Sequence, residues 1–525
     1  MKTNKYPVFK PYDQGLGMLF PPSLDDFIEK DSVVRLVSQL IDNIDITPLI
    51  RKYPGGGSSS YNPRMLLKVL IFSYLNNVTS SRRMAEKIRK DVEFMWIAGM
   101  ACPDHNTINR FRGKRLSGIL RDIFKRIVLV LIDNDIISLE AVYLDNTKIE
   151  ANANRYTFVW KKSVEKNKNK LIKELEELWQ YYSKICGIEE KEAITEEKIV
   201  RMSEEELKGL VTKMSKEIKN DPEAPEEIKK KASRASRIPK KLKEYEKKEE
   251  MLDGKNSCST TDNDAAMMPR KEDSPNTLQL RPCYNVGILT DNQYVVGIDI
   301  SQKSSDTEVL QPIVERMTED YEQKPAVLVA DAGYGSEENL LFLESKGIKP
   351  AVKFNYYNIM QNPKKAKNPF WAMLLHYNEA DDFYVCPIGQ RMTFRSVQMV
   401  VDNGKAHQAR VYEAQRCQGC PLLGVCHKPQ KEGENRRIFI RENVRRLRAE
   451  VMEYLSGEEG GKIYARRSHD VETVFADIKH NMGFRRFILR GLEKVETEMG
   501  LVALGHNIKK LHVNKIVLNF KNMVN

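Results

Sequence analysis

The stretch PAVLVADAGYGSEENLLFL, residues 325–343, decides the fold because it combines three elements in a fixed order. The apolar run VLVA that leads to Asp331 is typical of a buried strand, and the two glycines after it predict a tight turn. A helix follows the turn. A strand, a turn and a helix in this order indicate an α/β sheet with helices packed on it.

The neighbouring sequence extends this sheet in both directions. The segment AVYLDNTKIEAN begins with a strand, and the segments YNVGILT and QYVVGIDIS around Asp291-Asn292 predict a hairpin. We expect a helix over residues 306–320 and a short strand over 348–354. Residues 139–354 therefore predict a mixed-sheet α/β core, which a highly charged helical insertion interrupts.

Two aspartates occupy equivalent places in this predicted sheet. Asp145 follows the apolar run AVYL, and Asp331 follows the apolar run VLVA. A carboxylate at the end of a buried strand lies at the rim of the sheet, where ligands of open α/β sheets bind. One such aspartate alone would be an ordinary turn residue, whereas two on different strands of one domain predict a converging acidic pair.

A late helix supplies a third carboxylate. In residues 464–487, Val471, Val474 and Ile478 form an apolar stripe that would pack on the sheet, and Glu472 lies on the adjacent face with Lys479. Three converging carboxylates need a cation to neutralise them, and an oxygen-only ligand set suits Mg²⁺ or Mn²⁺. Two such ions can carry out phosphodiester displacement.

Asp470 and Asp477 compete with Glu472 for the third role, but neither lies where the motif described next has its carboxylate. Asp145 in VYLDNTKIEA, Asp331 in VADAGYGS and Glu472 in RSHDVETVFADIKHNMGFRRF resemble the DDE triad of bacterial insertion-sequence transposases, and of the insertion-sequence 1182 family in particular.

This resemblance extends over nearly the whole chain. It implies a ribonuclease H-like catalytic core, binding of terminal inverted repeats, and transposition through attack by a 3′-OH. It also implies a catalytic role for Lys479, which stands seven residues after Glu472.

The sequence departs from the family pattern at two places. Related transposases have a Tyr and an Arg before the glutamate, and Tyr464 and Arg467 are the nearest candidates. Arg467 lies five residues before Glu472, although the pattern has four. In the segment TDNDAAMM the chain has Ala266 where an arginine is expected.

The charge distribution favours a polyanionic partner. The 525 residues carry a formal net charge of +12, with 13 Lys/Arg against 5 Asp/Glu in residues 61–125 and 19 against 13 in residues 431–525. No apolar run is long enough for a membrane span, and the N-terminus lacks the pattern of a signal peptide. We therefore expect a cytoplasmic, nucleoid-associated protein that binds DNA and no membrane.

The N-terminal basic region resembles a helix-turn-helix. A buried helix begins near Pro63, and a second polar and basic helix follows Asp104 after a break at Gly99 and Pro103. The alternative is an ordinary helical bundle with a basic surface. The residues expected to contact DNA phosphates are Arg82, Arg83 and Arg89, and those on the candidate recognition helix are Asn106, Asn109, Arg110 and Arg112.

Four of the eight cysteines form a cluster with a metal-like spacing, namely Cys386, Cys417, Cys420 and Cys426. A C-x2-C pair is typical of one half of a structural Zn²⁺ site, although the five residues between Cys420 and Cys426 are a looser spacing than usual. The alternative is a set of reduced cysteines in a small β-rich insert.

These patterns predict seven segments along the chain. They are an N-terminal segment and linker (1–60), a helical DNA-binding domain (61–135), a first segment of the catalytic core (136–160), the charged helical insertion (161–255), a second segment of the catalytic core (256–355), a Cys-rich insert (356–435) and a C-terminal helical segment of the core that carries Glu472 (436–525).

The function that these observations favour is transposition of an insertion sequence. The partners would be double-stranded DNA, both terminal inverted repeats and target DNA, with a homodimer in the DNA complex. Two alternatives remain: a decayed or domesticated transposase that only binds DNA, which Ala266 favours, and a nuclease of the same core that cuts without rejoining.

Overall fold

The computed structural model describes residues 23–53, 59–187, 196–269, 279–362, 364, 366, 368–402, 405–431 and 433–520. The chain divides into two compact units. One, here called the helical unit, comprises Met1–Ile137, Asp477–Phe484 and Met499–Asn525. The other, here called the sheet unit, comprises Ser138–Ala476 and Arg485–Glu498.

The α-helices of the described residues are α1 Val33–Asp42, α2 Thr47–Ile50, α3 Pro63–Leu75, α4 Ser81–Lys90, α5 Val92–Ile97, α6 His105–Arg110, α7 Leu120–Asp133, α8 Lys161–Cys186, α9 Glu196–Arg201, α10 Glu204–Asn220, α11 Glu226–Arg234, α12 Ile238–Leu252, α13 Leu310–Tyr321, α14 Glu337–Lys346, α15 Tyr357–Gln361, α16 Glu442–Ser456, α17 Glu458–Ala465, α18 Thr473–Ala476 and α19 Leu492–Val513. Short π-helical turns occupy Phe111–Arg115, Ser468–Glu472 and Asp477–Asn481.

The strands of the same residues are β1 Ala141–Glu150, β2 Phe158–Trp160, β3 Ser257–Ser259, β4 Ala266–Pro269, β5 Leu280–Asp291, β6 Tyr294–Ser301, β7 Val327–Ala330, β8 Lys349–Val352, β9 Tyr377–Asn378, β10 Phe383–Val385, β11 Arg391–Asp402, β12 Lys405–Ala414 and β13 Arg437–Ile440.

Local sequence signals account for the helices of the helical unit. The side chain of Asn62 accepts a hydrogen bond from the backbone N–H of Arg64 at the start of α3, and Pro63 is the first helical residue. Asp104 caps α6 in the same way, accepting from the N–H of Thr107 at 2.9 Å. Helix α3 is buried over most of its length, as its nearly continuous apolar sequence predicts.

The main sheet of the sheet unit is mixed. β1 pairs antiparallel with β5 and parallel with β7, β7 pairs parallel with β8, and β5 also pairs with β6 and β4. The predicted hairpin is the β5–β6 pair, in which Asn292 and Gln293 have the positive φ angles of a tight hairpin turn. The prediction of a mixed α/β architecture is confirmed.

The charged insertion folds around its own core. β2 and β3 pair at its base, and helices α8 to α12 surround a cluster of buried apolar side chains. Ile172, Leu175 and Leu178 of α8 recur at helical spacing and are buried in this cluster. Ile185 is exposed because α8 ends one residue later, at Cys186. The helices of the insertion therefore form a small bundle.

Residues 377–440 contain a second, antiparallel sheet. Its strand order is β13-β12-β11-β10-β9, and Tyr384, Met392 and Tyr412 form its small core. The β-rich character expected of the Cys-rich insert agrees with this sheet. Across all described residues, no helix has both the length and the apolar character that a membrane span requires.

Candidate active site and DNA-contact surface

Strand register brings Asp145 and Asp331 to neighbouring positions in the sheet. Leu144 of β1 pairs with Ala330 of β7 in parallel register; Asp145 is the next residue of β1, and Asp331 directly follows β7. The expectation that Asp145 ends its strand is wrong, because pairing with β5 continues β1 to Glu150. Residues at matching positions of parallel strands lie roughly 5 Å apart and project from the same face. The sequence-predicted acidic pair is therefore brought together by the fold.

The turn after β7 orients Asp331. One carboxylate oxygen, Oδ1, accepts a hydrogen bond from the N–H of Gly333 at 2.8 Å. Gly335, two residues further on, passes so close to the next strand that a Cβ there would lie 2.4 Å from the carbonyl oxygen of Lys353. Only glycine fits this approach, which explains the Gly-rich turn.

The buried ring of Tyr334 lies beneath the carboxylates. Its hydroxyl donates a hydrogen bond to Oδ1 of Asn146. Burial, followed by the negative charges of Asp145, Asp306 and Asp331, raises the pKa of Tyr334 well above its ordinary value. The hydroxyl of Tyr334 therefore lies close enough to all three carboxylates to be affected by their charges, which Arg467 offsets in part.

Glu472 is linked to this place through Arg467. Nη2 of Arg467 lies 2.7 Å from Oε1 of Glu472, and Nη1 lies 3.9 Å from Oδ2 of Asp145. The π-helical turn Ser468–Glu472 explains the unusual five-residue spacing. Because a π turn closes from residue i to i+5, it accommodates one residue more than an α-helical turn does.

The two competing carboxylates of the same segment are engaged elsewhere. Asp470 is buried, and its Oδ1 accepts hydrogen bonds from Oγ1 of Thr290 at 2.6 Å and from the N–H of Gln293 at 3.1 Å. Asp477 belongs to the helical unit, where His506 contacts it at 2.8 Å. Both positions therefore stabilise the local fold.

Lys353 and Asp306 are two further residues of the site that the sequence analysis missed. Lys353 directly follows β8, as Asp331 follows β7, and its Nζ lies 4.3 Å from the centre of the Tyr464 ring. Burial and the nearby charge of Arg467 lower the pKa of Lys353. A polar residue directly after a short apolar run, the pattern that marks Asp331, would also have identified this lysine.

Asp306 lies in the connection between β6 and α13, where no strand end marks it. Its Oδ1 accepts a hydrogen bond from Nδ2 of Asn285 at 2.9 Å, and a Cβ placed on Gly333 would lie 4.0 Å from its Oδ2. Only tertiary folding brings this carboxylate toward Asp331.

The chemistry of these donors fits a divalent cation only incompletely. Asp145 and Asp331 occupy neighbouring positions in the sheet, and the charges of both raise the pKa of Tyr334 in addition to its burial. Oxygen ligands of this kind suit Mg²⁺ or Mn²⁺. Within the described ranges, however, no three acidic, His or Cys side chains are arranged to hold a metal ion. The carboxylate of Glu472 instead pairs with Arg467.

Lys479 lies in the turn Asp477–Asn481 of the helical unit. Val471, Val474 and Ile478 are fully buried, as their spacing predicted. The catalytic role of Lys479 that the resemblance implies remains a prediction.

Two of the four clustered cysteines contact Arg436. Nη1 of Arg436 lies 2.9 Å from Sγ of Cys426, and its backbone N–H donates to Sγ of Cys417 at 3.3 Å. Burial raises the pKa of the Cys426 thiol; Arg436 opposes this shift, and the neighbouring Cys386 and Cys417 add to it. The guanidinium of Arg436 thus contacts one thiol of the predicted zinc cluster, that of Cys426.

The basic residues of α4 and α6 form the candidate DNA surface of the helical unit. Arg82, Arg83 and Arg89 are exposed on α4, and Asn106, Asn109 and Arg110 are exposed on α6. A groove of about 280 Å³ lies between the two helices, lined among others by Arg82, Arg89 and His105. The six exposed side chains are accessible from solvent, as a DNA-contact role requires.

The assignment of Arg112 to DNA contact is wrong. Its side chain is only 1% exposed, and its Nη1 donates to the hydroxyl of Tyr74 at 2.9 Å and to the carbonyl of Thr79 at 2.6 Å. Nη2 donates to Oδ1 of Asn109 at 3.2 Å. The sequence pattern identified a basic residue correctly but could not show that its charge is used inside the helical unit.

Two family models match separate stretches of the chain. Residues 385–512 match the model described as "Transposase DDE domain", and residues 22–114 match the model described as "Transposase domain (DUF772)". The first range contains Glu472, and the second contains α4 and α6. No curated protein and no solved structure matches the chain significantly.

Proposed function

Because both matching models describe transposase domains, which indicates a transposase, we propose that this protein binds the terminal inverted repeats of an insertion sequence and transposes it by metal-dependent strand cleavage and strand transfer. The observation that carries the proposal is the juxtaposition of Asp145 and Asp331, each of which directly follows the last residue pair between β1 and β7. The mixed sheet that holds them supports a ribonuclease H-like core.

The proposal assigns the metal-binding role to Asp145, Asp331 and Glu472. Bound Mg²⁺ or Mn²⁺ ions would activate the attacking oxygen and stabilise the leaving oxygen of the phosphodiester. Asp145 and Asp331 would supply carboxylates from neighbouring positions of the sheet, whereas Glu472 would have to exchange its contact with Arg467 for the metal. Lys479 would act as an accessory cation.

Two cations near the carboxylates have a role in the same proposal. Arg467 balances the charge of Asp145 and Glu472 in the protein alone, and Lys353 stands beside it over the ring of Tyr464. When DNA binds, both could interact with oxygens of the phosphate backbone, because charge-assisted hydrogen bonds to phosphate are strong. The DNA itself would be gripped mainly by α4 and α6 of the helical unit, and the complex would be a homodimer.

The direct test is strand cleavage by the full chain in Mg²⁺, on duplexes that carry the DNA flanking the gene. Asp145→Asn, Asp331→Asn and Glu472→Gln should each abolish cleavage while DNA binding stays near wild type. Asp381→Asn, an exposed residue of the second sheet, is the matched control and should cleave normally. Normal cleavage by any of the three variants would remove that residue from the site.

A binding-only function is the second candidate, and Ala266 favours it. This residue lies in β4, paired with Cys283 of β5, where the family pattern has an arginine. A decayed transposase would bind the element's ends without cutting them. A nuclease would cut them but would not join a 3′-OH end to target DNA. Measuring binding, cleavage and joining with one preparation separates all three functions.

A further inference from the structure

An arginine-lined pocket opens beside the last residue of β1 in the sheet unit. Its volume is about 440 Å³, and its charged lining consists of Arg155, Arg281, Arg486, Arg490 and Glu150. Four guanidinium groups therefore face a single carboxylate. This excess of positive charge favours an anionic ligand, and arginine is the side chain best suited to phosphate because its planar fork donates two parallel hydrogen bonds.

Backbone contacts hold two of these arginines in place. Arg486 donates from Nε to the carbonyl of Ala151 at 3.2 Å and from Nη2 to the carbonyl of Ala153 at 3.4 Å. Arg490 donates from Nε to the carbonyl of Asn152 at 2.9 Å. The remaining N–H groups are thus pre-positioned, so a ligand need not order these long side chains on binding.

Glu150 offsets only a fraction of the charge, because one carboxylate faces four cations. Its Oε2 lies 3.4 Å from Nη1 of Arg281, and its Oε1 lies 4.0 Å from Nε of Arg486. Arg155, Arg486 and Arg490 are all exposed, and of these three only Arg486 lies near Glu150. Arg155 and Arg490 are therefore the exposed arginines whose charge Glu150 does not offset by direct contact.

Two features favour a nucleic acid strand over an isolated phosphate ion. Asp145 lies five residues before Glu150 on the same strand, which corresponds to roughly 17 Å. A DNA duplex advances about 3.4 Å per base pair, so one duplex could reach both places with about five base pairs between them. The ring of Tyr156, 79% exposed beside Arg155, adds an aromatic surface of the kind on which bases stack.

We propose that this pocket, here called the arginine pocket, binds backbone phosphates of the DNA on which the protein acts, at a distance from the catalytic carboxylates. The proposal rests on the proposed function. It adds a second grip on DNA, located in the sheet unit and separate from α4 and α6. Such a grip would fix the direction in which the duplex leaves the acidic site, because phosphate contacts position DNA without selecting its sequence.

The test is a salt titration with the full chain and a labelled 30-base-pair duplex of random sequence. We expect the double variant Arg155→Gln/Arg490→Gln to lower the slope of log affinity against log salt by about two units, because each lost phosphate contact removes about one. Affinity near physiological salt should fall on the order of tenfold. The matched control, Arg234→Gln/Arg395→Gln, removes two exposed arginines of the same unit outside the pocket and should leave the slope unchanged.

Two further measurements make the outcome decisive. Arg155→Lys/Arg490→Lys keeps the charge and should retain most of the slope, which separates phosphate contact from misfolding. Exchanging chloride for inorganic phosphate at equal ionic strength should not displace the duplex; selective displacement, lost in the glutamine variant, would mean a free-phosphate site and overturn the proposal. An unchanged slope in the glutamine variant would overturn this proposal alone, whereas wild-type protein that fails to bind DNA would overturn it together with the proposed function.

Discussion

The guanidinium of Arg467 lies 2.7 Å from the carboxylate of Glu472, five residues later in the chain. This contact depends on the π-helical turn Ser468–Glu472, which brings residues five apart onto one face of the helix. The other terminal nitrogen of Arg467 lies 3.9 Å from the carboxylate of Asp145, which is far away in sequence. Arg467 thus connects two of the three candidate metal ligands and carries the charge that a metal ion would replace.

Removing this charge should strengthen metal binding. We predict that Arg467→Gln binds Mn²⁺ several-fold more tightly than wild type, because the carboxylates of Asp145 and Glu472 lose a competing cation. DNA cleavage should nevertheless fall, since the phosphate loses a cationic partner. An Mn²⁺ titration followed by electron paramagnetic resonance measures the affinity. Arg466→Gln, which removes the exposed neighbouring arginine, is the control; weaker Mn²⁺ binding by Arg467→Gln would contradict the prediction.

The close approach at Gly335 provides a second prediction. Gly335→Ala should reduce cleavage strongly and lower stability by about 1–3 kcal/mol, because the new Cβ would lie 2.4 Å from the carbonyl oxygen of Lys353. The turn and Asp331 must then shift. Gly209→Ala, in α10 with open space around it, should be neutral or stabilising by up to about 1 kcal/mol. Thermal unfolding and cleavage assays compare the two; full activity of Gly335→Ala would show that the turn tolerates the shift.

The burial of Arg112 predicts that its replacement affects stability, whereas replacement of the exposed arginines of α4 affects DNA binding. Arg112→Ala should destabilise the protein by about 3 kcal/mol, because the hydroxyl of Tyr74 and the carbonyl of Thr79 each lose a hydrogen bond from the buried guanidinium. Arg82→Ala/Arg83→Ala should leave stability unchanged but reduce the salt slope of DNA binding by about one to two units. Chemical denaturation and binding titrations on both variants measure these effects. A stable Arg112→Ala protein with weakened DNA binding would show that Arg112 contacts DNA.

The cysteine cluster is tested by metal analysis. We predict about one Zn²⁺ per chain in freshly prepared, reduced protein, lost on Cys417→Ser or Cys420→Ser but retained in Cys186→Ser, which lies outside the cluster. Zinc binding would require Cys426 to exchange Arg436 for the metal. Zinc-free wild-type protein would instead identify the cluster as reduced thiols that pair with Arg436.

Asp477 predicts a pH dependence of stability. Although its burial raises the pKa, hydrogen bonds from His506, Asn481 and Lys509 outweigh that effect and lower the pKa of Asp477 far below its ordinary value. A carboxyl group with a lowered pKa in the folded state stabilises the protein above its unfolded pKa of about 3.9, and this contribution disappears as pH falls toward the folded pKa.

Asp477→Asn should therefore reduce the unfolding temperature by several degrees at pH 7, and the difference from wild type should shrink as pH falls below about 4. Asp31→Asn, at an exposed position of the helical unit, should show little difference at either pH. A deficit of Asp477→Asn that stays constant down to low pH would mean that the charge of Asp477 does not contribute.

Much of the fold was predictable because its signals are local. The hairpin at Asn292, the strand before Asp331 and the apolar stripe from Val471 to Ile478 depend on patterns within a few residues, and all three agree with the structure. The fold of the charged insertion was less predictable. Its charges indicated solvated helices, but the packing of α8, α10 and α12 around one core depends on contacts between residues far apart in sequence.

The candidate site shows the same division. The sequence by itself determined that Asp145 and Asp331 follow buried apolar runs, because such a run and the polar residue after it are visible in one short window. It did not show that β1 continues past Asp145 to Glu150, because that extension depends on pairing with β5. Tertiary structure decided that β1 and β7 are neighbours in matching register and that Asp306 approaches the same rim.

Which of two similar basic side chains is buried and which is exposed was also decided only by packing. Nothing in the local sequence distinguishes Arg112 from Arg110, yet Arg112 is buried against Tyr74 and Arg110 is exposed. Arg467 precedes Glu472 by five residues, and a π turn brings the two side chains into contact. Sequence periodicity shows which residues share a face only while the helix is regular. Where a π turn interrupts the helix, the face on which each side chain lies, and the residues it contacts, are decided by the folded chain.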